Sequence, residues 1–163
     1  MKKIILYGLI TLLLLVGLFG FYEYRLFQTG FDYTNEGVSI GNLNYKNNGG
    51  KIQITADLTL KMSFVNPTDV TASIATLDGD IYLNNSPAGT LSITDAITLP
   101  AKQSTVVPFK ITLDITSIFT NNSLSSLLNS PLQIQAKANL VILGFTLNSF
   151  PINISTTITS LTS

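Results

Sequence analysis

The side chains best suited to chemistry in this 163-residue chain are carboxylates, because it contains no His, no Cys and no Trp. Without imidazole or thiolate, the common zinc sites and nucleophile–histidine catalysis have no residues to use. Asp78-Gly79-Asp80, together with Asp95, offers oxygen ligands of the kind that Ca²⁺ prefers. No ligand run with EF-hand spacing surrounds them, so a charged turn is the favoured interpretation. We therefore predict no catalytic residue, no metal site and no cofactor.

Asn-x-Ser sequons are the other motif with a chemical meaning, since they are acceptors for N-glycosylation. They begin at Asn84, Asn121 and Asn153. A chain rich in Asn and Ser produces such triplets by chance, and they matter only in a protein of eukaryotic origin. They therefore predict no site by themselves.

Charge is balanced, with nine Lys and Arg residues against nine Asp and Glu residues. Beyond residue 26 the six positive and eight negative charges are scattered, without a basic run. Nucleic-acid binding draws much of its affinity from clustered Lys and Arg, so we do not expect it here. The lack of Cys also removes any disulfide framework, so stability must come from burial.

Residues 4–22 are nineteen consecutive residues without a charge, IILYGLITLLLLVGLFGFY. A helix of this length is about 28 Å long, enough to cross the hydrocarbon core of a bilayer. A cleaved signal peptide is the alternative, but its apolar segment is about 7–15 residues long and ends in small residues. Residues 17–22 are bulky at the point where cleavage would need small side chains. We therefore predict an uncleaved transmembrane helix over residues 4–22.

The charges that flank this helix predict its orientation. Lys2 and Lys3 precede it, whereas Arg25 alone among Lys and Arg follows closely. Positive residues are retained on the cytoplasmic side, so residues 1–3 are predicted to be a cytoplasmic tip. The rest of the chain is then a single-pass protein with its C-terminal domain outside the cytoplasm.

Residues 23–36 are predicted to be a juxtamembrane linker that leads to a domain over residues 37–163. Tyr22, Tyr24 and Phe27 lie where the helix would leave the bilayer. Aromatic residues gather at membrane interfaces, so these three are expected to form an aromatic belt.

Beyond the linker the dominant pattern is alternation of apolar and polar residues, which is typical of a strand with one buried face. Residues 51–64, KIQITADLTLKMSF, contain seven successive repeats with the apolar residues at even positions. Residues 109–116 and 132–140 alternate in the same way. Pro67 is expected to end the first of these strands, because proline cannot donate to a sheet ladder.

Weaker alternation fills the rest of the domain. A phase change between Ile74 and Leu77 predicts a β-bulge near residues 75–76. Residues 84–89 predict a turn, and residues 123–129, SLSSLLN, have the spacing of a short helix. Seven or eight short strands with one short helix predict an all-β, antiparallel sandwich.

The order of these features resembles the late embryogenesis abundant type-2 family, also called the water-stress and hypersensitive-response (WHy) domain. The resemblance spans about residues 38–158 and depends on features that follow one another in a set order. These are Asn66-Pro67 after the long strand, the turn at 83–85, the segment 99–109 (LPAKQSTVVPF), and a late Gly144 and Pro151. Two positions depart from the family pattern, since Asn85 and Lys102-Gln103 stand where glycine is usual or frequent.

The resemblance implies a Greek-key β-sandwich without enzymatic activity. Members of the family are associated with stress or desiccation tolerance, and some carry an N-terminal membrane helix before the domain. The family defines no catalytic residue and no ligand, so no site residue can be carried over. Asn66-Pro67 carries over only as a structural turn.

Two functions therefore stay open. The first is a membrane-anchored stress-protection module that presents a binding surface outside the membrane. The alternative is a structural tether in a large assembly, such as an envelope machine or the membrane of a virus particle. The expected partners are the lipid bilayer and either further copies of the chain or neighbouring structural proteins, whereas nucleic acid is not expected.

Overall fold

The computed structural model of the chain describes residues 2–116, 129–158 and 160–161. Of the short helix predicted at 123–129, all but Asn129 lies outside the described residues. The described residues form one helix and nine strands. In chain order these are α1 (Lys2–Gly30), β1 (Asp32–Asn48), β2 (Lys51–Val65), β3 (Ala72–Leu83), β4 (Ser86–Ile93), β5 (Ile97–Leu99), β6 (Ser104–Asp114), β7 (Pro131–Ile142), β8 (Phe145–Thr157) and β9 (Ser160–Leu161).

The strands form two sheets, which confirms the all-β sandwich prediction. Sheet 1 has the order β6-β2-β1-β9, and sheet 2 has the order β4-β3-β7-β8 with β5 paired to β3. Every strand pair in the described part of the chain is antiparallel except β1 with the two-residue β9. The sequence predicts seven or eight strands, and the additional ones are β9 and the long β1, whose alternation is interrupted by two register shifts.

The buried faces of the long strands are those that the alternation predicts. In β2, Leu58, Leu60 and Phe64 are at most 2% exposed. Ile52, near the start of the strand, is an exception to the predicted burial, since it is 46% exposed. The predicted bulge is present, since the register of β3 against β7 shifts between Ile74 and Thr76. One hydrophobic core between the sheets therefore follows from period-2 alternation.

Pro151 lies within β8, opposite Lys137 of β7. Proline is tolerated there because β8 is the edge of sheet 2, where one side of the strand has no neighbouring strand among the described residues. Just before Pro151 the strand is irregular. Ser149 has a positive φ of 56°, and the register of β7 against β8 shifts between Ala138 and Leu140.

The prediction of a linker at residues 23–36 is wrong, because α1 continues to Gly30 and β1 begins at Asp32. Glu23, Phe27 and Phe31 are spaced by four residues, so they lie on one side of the chain as the helix ends. All three are buried, with at most 6% exposure. Burial against the sandwich therefore extends the helix through the segment that was expected to be irregular.

Candidate functional site

The joint between α1 and the sandwich is the first feature that bears on function. Glu23 in α1 is 1% exposed, and its Oε2 accepts a hydrogen bond of 3.0 Å from the backbone N–H of Asp69. Its Oε1 has no hydrogen-bond partner among the described residues. Asp69 lies in the connection between β2 and β3, so this bond fixes the helix to one end of the sandwich.

Aromatic packing extends the same joint into the core. The Phe31 ring lies 5.2 Å from Phe27 of α1, 6.2 Å from Phe64 of β2 and 5.0 Å from Phe150 of β8, measured between ring centroids. Because β2 and β8 belong to different sheets, the helix end is held by both of them. Phe27 is 0% exposed, so the expectation that it belongs to a membrane-interface belt is wrong.

The Asn66-Pro67 turn supports this joint. Asn66 is fully buried, and its Nδ2 donates to the carbonyl oxygens of Val70 and Leu99, each at 2.9 Å. Its Oδ1 accepts from both the N–H and the hydroxyl of Thr68. A Cβ at Gly30 would lie 3.1 Å from the Pro67 ring, so the helix ends directly against the turn. The Asn66-Pro67 turn, which the sequence predicts to end β2, is therefore also the turn against which the helix packs.

An exposed ion pair lies beside the joint. Lys102 Nζ is 2.7 Å from Asp69 Oδ1, and both side chains are more than half exposed. The hydrogen bond and charge of Asp69 raise the pKa of Lys102 above 10.5, with smaller contributions from Glu23 and Tyr22. An exposed pair of this kind adds little stability, but it shows that the β5–β6 turn lies beside the β2–β3 connection that holds the helix.

The carboxylates that were considered for Ca²⁺ do not form a site. Asp78 and Asp80 lie in the middle of β3 on its exposed face, so the interpretation of this motif as a charged turn is wrong. Asp78 Oδ1 accepts a hydrogen bond of 2.5 Å from Ser92 Oγ of β4. Asp95 lies in the β4–β5 connection. Among the described residues, no group of three His, Cys, Asp or Glu side chains could hold a metal ion.

The two sequons that the structure describes lie on different elements. Asn84 is exposed in the two-residue turn between β3 and β4, and Asn153 is exposed within β8. Asn121 lies outside the described residues.

A groove between the edge strands β4 and β6 is the second feature that bears on function. The strands converge at Gly89, where a Cβ would be 3.1 Å from the Thr112 carbonyl oxygen. Further along they separate and leave a groove of about 530 Å³ lined by the half-buried Ile93, Ile97 and Val107. Edge strands present backbone hydrogen-bonding groups, so the groove suits an extended peptide segment. The sequence analysis did not predict this groove, because it depends on how close two strands of different sheets approach each other.

Together, the two sheets and the helix seated between their ends define a β-sandwich protein with one apolar N-terminal helix. The sequence model of the late embryogenesis abundant protein family matches residues 59–158, and the chain belongs to that family. The resemblance noted from sequence is therefore confirmed.

Two of the solved structures that match this chain come from a plant and an archaeon. A protein of Arabidopsis thaliana is 18% identical, with a TM-score of 0.46, and the match covers 81% of this chain and 86% of that chain. A protein of Archaeoglobus fulgidus is 12% identical, with a TM-score of 0.45, covering 77% of this chain and 98% of that chain. A search of curated proteins gives no match.

Proposed function

We propose that this protein is a non-enzymatic, membrane-anchored module of the stress-protection kind that displays a binding surface outside the cytoplasm. The observation that carries the proposal is the contrast within α1. Its apolar side chains between Tyr7 and Tyr22 are exposed, with Leu13 and Leu14 above 60%, whereas Glu23 and Phe27 are buried in the sandwich. Exposed leucines on every side of a helix are stable in lipid, so the first part fits a bilayer and the second fits the domain.

The helix is also long and apolar enough for this role. By length and composition, Tyr7–Gly30 could cross a membrane, and only 6% of its most apolar part is buried against the rest of the chain. Because α1 continues without a break into the joint, the sandwich would have a fixed orientation relative to the membrane and would not hang on a flexible linker.

The proposed binding surface is the groove between β4 and β6. It runs along two strand edges and combines apolar side chains with backbone groups, which is the chemistry that captures an extended segment of another protein. Membership of a family that is generally non-enzymatic supports a binding role, as does the separation of Asp78 and Asp95 on different elements.

A structural tether is the second candidate, and the rigid joint favours it. A tether must transmit force from the bilayer to its partner, and α1 is held by both sheets through Phe31. In this case the open edges of β4, β6 and β8 would pair with neighbouring proteins or with further copies of the chain.

Topology can be tested with single cysteines, because the chain has none of its own. Lys51→Cys lies in the sandwich at the β1–β2 turn, and a cysteine inserted directly after Met1 precedes the predicted span and keeps Lys2 and Lys3. In intact cells that express the full chain, a membrane-impermeant maleimide should label Lys51→Cys and leave the inserted N-terminal cysteine unlabelled until the cells are lysed. The reverse pattern would overturn the orientation, and release of the protein by alkaline carbonate would overturn the anchor.

The two candidate functions predict different partners. Cross-linking of native membranes should give a discrete oligomer or one specific neighbour for a tether. A stress-protection module should instead remain monomeric at native density and, as the full chain in vesicles, preserve the activity of a dried test enzyme. The assay uses the full chain because a fragment without α1 would lack the buried Glu23 and Phe27.

A further inference from the structure

The turn between β7 and β8 stands beside α1 at the level where the helix would leave the membrane. The Phe145 ring, at the start of β8, is 5.6 Å from the Tyr24 ring between centroids. Tyr24 is two residues beyond the end of the predicted span, which is about 3 Å of helix rise. Helical side chains also lean toward the N-terminus, which brings the Tyr24 ring closer still to the predicted span.

This turn is apolar where it meets solvent. Leu143 is 46% exposed and Phe145 is 53% exposed, although Phe145 is covered on one side by Tyr24. The turns at the opposite end of the sandwich have a different character. They are Gly49-Gly50 between β1 and β2, and Asn84-Asn85 between β3 and β4. Leu143 is therefore an exposed apolar residue within a turn at the end that faces the helix, whereas the exposed Tyr45 and Ile52 at the far end lie in strands.

The backbone conformation of this turn makes leucine an unusual residue at position 143. Leu143 has a φ of 49° and Gly144 a φ of 79°, so both residues of the two-residue turn are left-handed. Asn84 and Asn85, with φ of 52° and 62°, form the corresponding turn at the far end. Asparagine tolerates this conformation, whereas leucine adopts it at a conformational cost. A strained and exposed leucine indicates that its side chain has a use outside the domain.

We infer that Leu143 and Phe145 insert into the interface of the same bilayer that α1 crosses, as a second membrane contact of the sandwich. This inference depends on the proposed membrane anchor. Aromatic and aliphatic side chains at a turn gain from the boundary between headgroups and acyl chains, where Tyr24 is also expected. With two points of contact, the helix and the turn, the sandwich cannot rotate freely and its far end points away from the membrane.

The chain has no Trp, so a single tryptophan can report its surroundings in the full-length protein. Phe145→Trp tests the turn. Tyr45→Trp is the matched control, an aromatic position that is 64% exposed and lies about 40 Å further along β1 from the joint. Phe19→Trp, 49% exposed within the predicted span, reports the anchor itself. Each variant is reconstituted in phosphatidylcholine vesicles with and without brominated acyl chains, which quench tryptophan on contact.

We expect brominated lipid to quench Phe19→Trp most and Phe145→Trp clearly, with blue-shifted emission, and to leave Tyr45→Trp unquenched. Quenching of Phe19→Trp without quenching of Phe145→Trp would overturn the second contact and leave the anchor intact. Absence of quenching at Phe19→Trp would overturn the anchor and, with it, this inference.

A second pair of variants separates contact from folding. Leu143→Asn suits the left-handed turn, so it should preserve the fold while it lowers the quenching of Phe145→Trp. Ile52→Asn removes an aliphatic side chain of the same 46% exposure at the far end and should leave that quenching unchanged. Equal effects of the two substitutions would overturn the role assigned to Leu143.

Discussion

Glu23 and Asp69 are separated by 46 residues in sequence, yet the Glu23 Oε2 lies 3.0 Å from the Asp69 backbone nitrogen. This single bond joins the helix to the connection that follows the Asn66-Pro67 turn. Since Glu23 is also the first charged residue after the predicted span, the end of that predicted span and the start of the domain coincide. The sandwich is therefore attached through packed structure rather than through a linker.

Removing this bond should loosen the joint. Glu23→Ala leaves the Asp69 N–H without its acceptor in a partly buried contact, which costs about 1–3 kcal/mol. Glu23→Gln keeps a carbonyl acceptor at the same place and should cost less. Hydrogen exchange of the Asp69 amide, measured on the full chain in micelles, should be fastest in Glu23→Ala. Identical exchange in both variants and the natural chain would contradict the assigned bond.

Gly79 in β3 should not tolerate a side chain. A Cβ at this position would stand 2.5 Å from the Cβ of Ala136 in β7 and 2.6 Å from the Gln135 carbonyl oxygen, so backbone would have to move. Gly79→Ala is expected to destabilise the domain by about 1–3 kcal/mol in chemical denaturation.

Gly89→Ala is the graded comparison for Gly79→Ala. Its nearest obstacle is the end of the Leu113 side chain at 2.9 Å, which can rotate, followed by the Thr112 carbonyl oxygen at 3.1 Å. Its cost should therefore be smaller. A larger loss from Gly89→Ala would mean that the edges of β4 and β6 are less able to separate than the groove between them suggests.

The sandwich could be predicted because its strands carry their own signal. In β2 up to Phe64, in β6 from Phe109 and in β7 from Leu132 to Leu140, apolar and polar residues alternate, so local alternation fixes the face that is buried. The β3 bulge was predictable for the same reason, since an inserted residue changes the phase of the pattern. These features need no information from distant parts of the chain.

The joint and the β7–β8 turn could not be predicted in this way. Phe27 is an aromatic residue just beyond an apolar span, which is also what a residue at a membrane interface looks like in sequence. Only its contacts with distant strands place it in the core. The spacing of Glu23, Phe27 and Phe31 was the available signal for a continuing helix. For Leu143 the sequence offers no comparable pattern. Its left-handed backbone, and the position of the neighbouring Phe145 beside Tyr24, arise from tertiary structure.

The faces of β2 give a direct test of the core. Leu60 is fully buried, so Leu60→Ala should lower the free energy of unfolding by about 2–5 kcal/mol through lost burial and a cavity. Thr59 points to the opposite face and is partly exposed, so Thr59→Ala should cost well under about 1 kcal/mol. Chemical denaturation of the full chain in micelles, followed by circular dichroism, compares them. A greater loss from Thr59→Ala would reverse the two faces.

Asp114 at the end of β6 should contribute a pH-dependent part of the stability. Its Oδ1 accepts hydrogen bonds from the Thr116 hydroxyl at 2.6 Å and the Thr116 N–H at 3.0 Å. These bonds lower the pKa of Asp114 below 3.8, first through the hydroxyl and then through the backbone. Because the folded pKa is the lower one, the stabilisation is complete above the ordinary value. It is lost as the pH falls from there through the lowered pKa.

Asp114→Asn should therefore remove part of the acid sensitivity of the domain. Since the carboxylate is largely exposed, the difference in the free energy of unfolding at neutral pH should be below about 1 kcal/mol. Denaturation of both forms at several values from about pH 6 to about pH 2 should show the curves converging in acid, because the natural chain loses an interaction that the variant already lacks. Curves that stay parallel over this range would show that the Thr116 hydrogen bonds do not favour the ionised carboxylate.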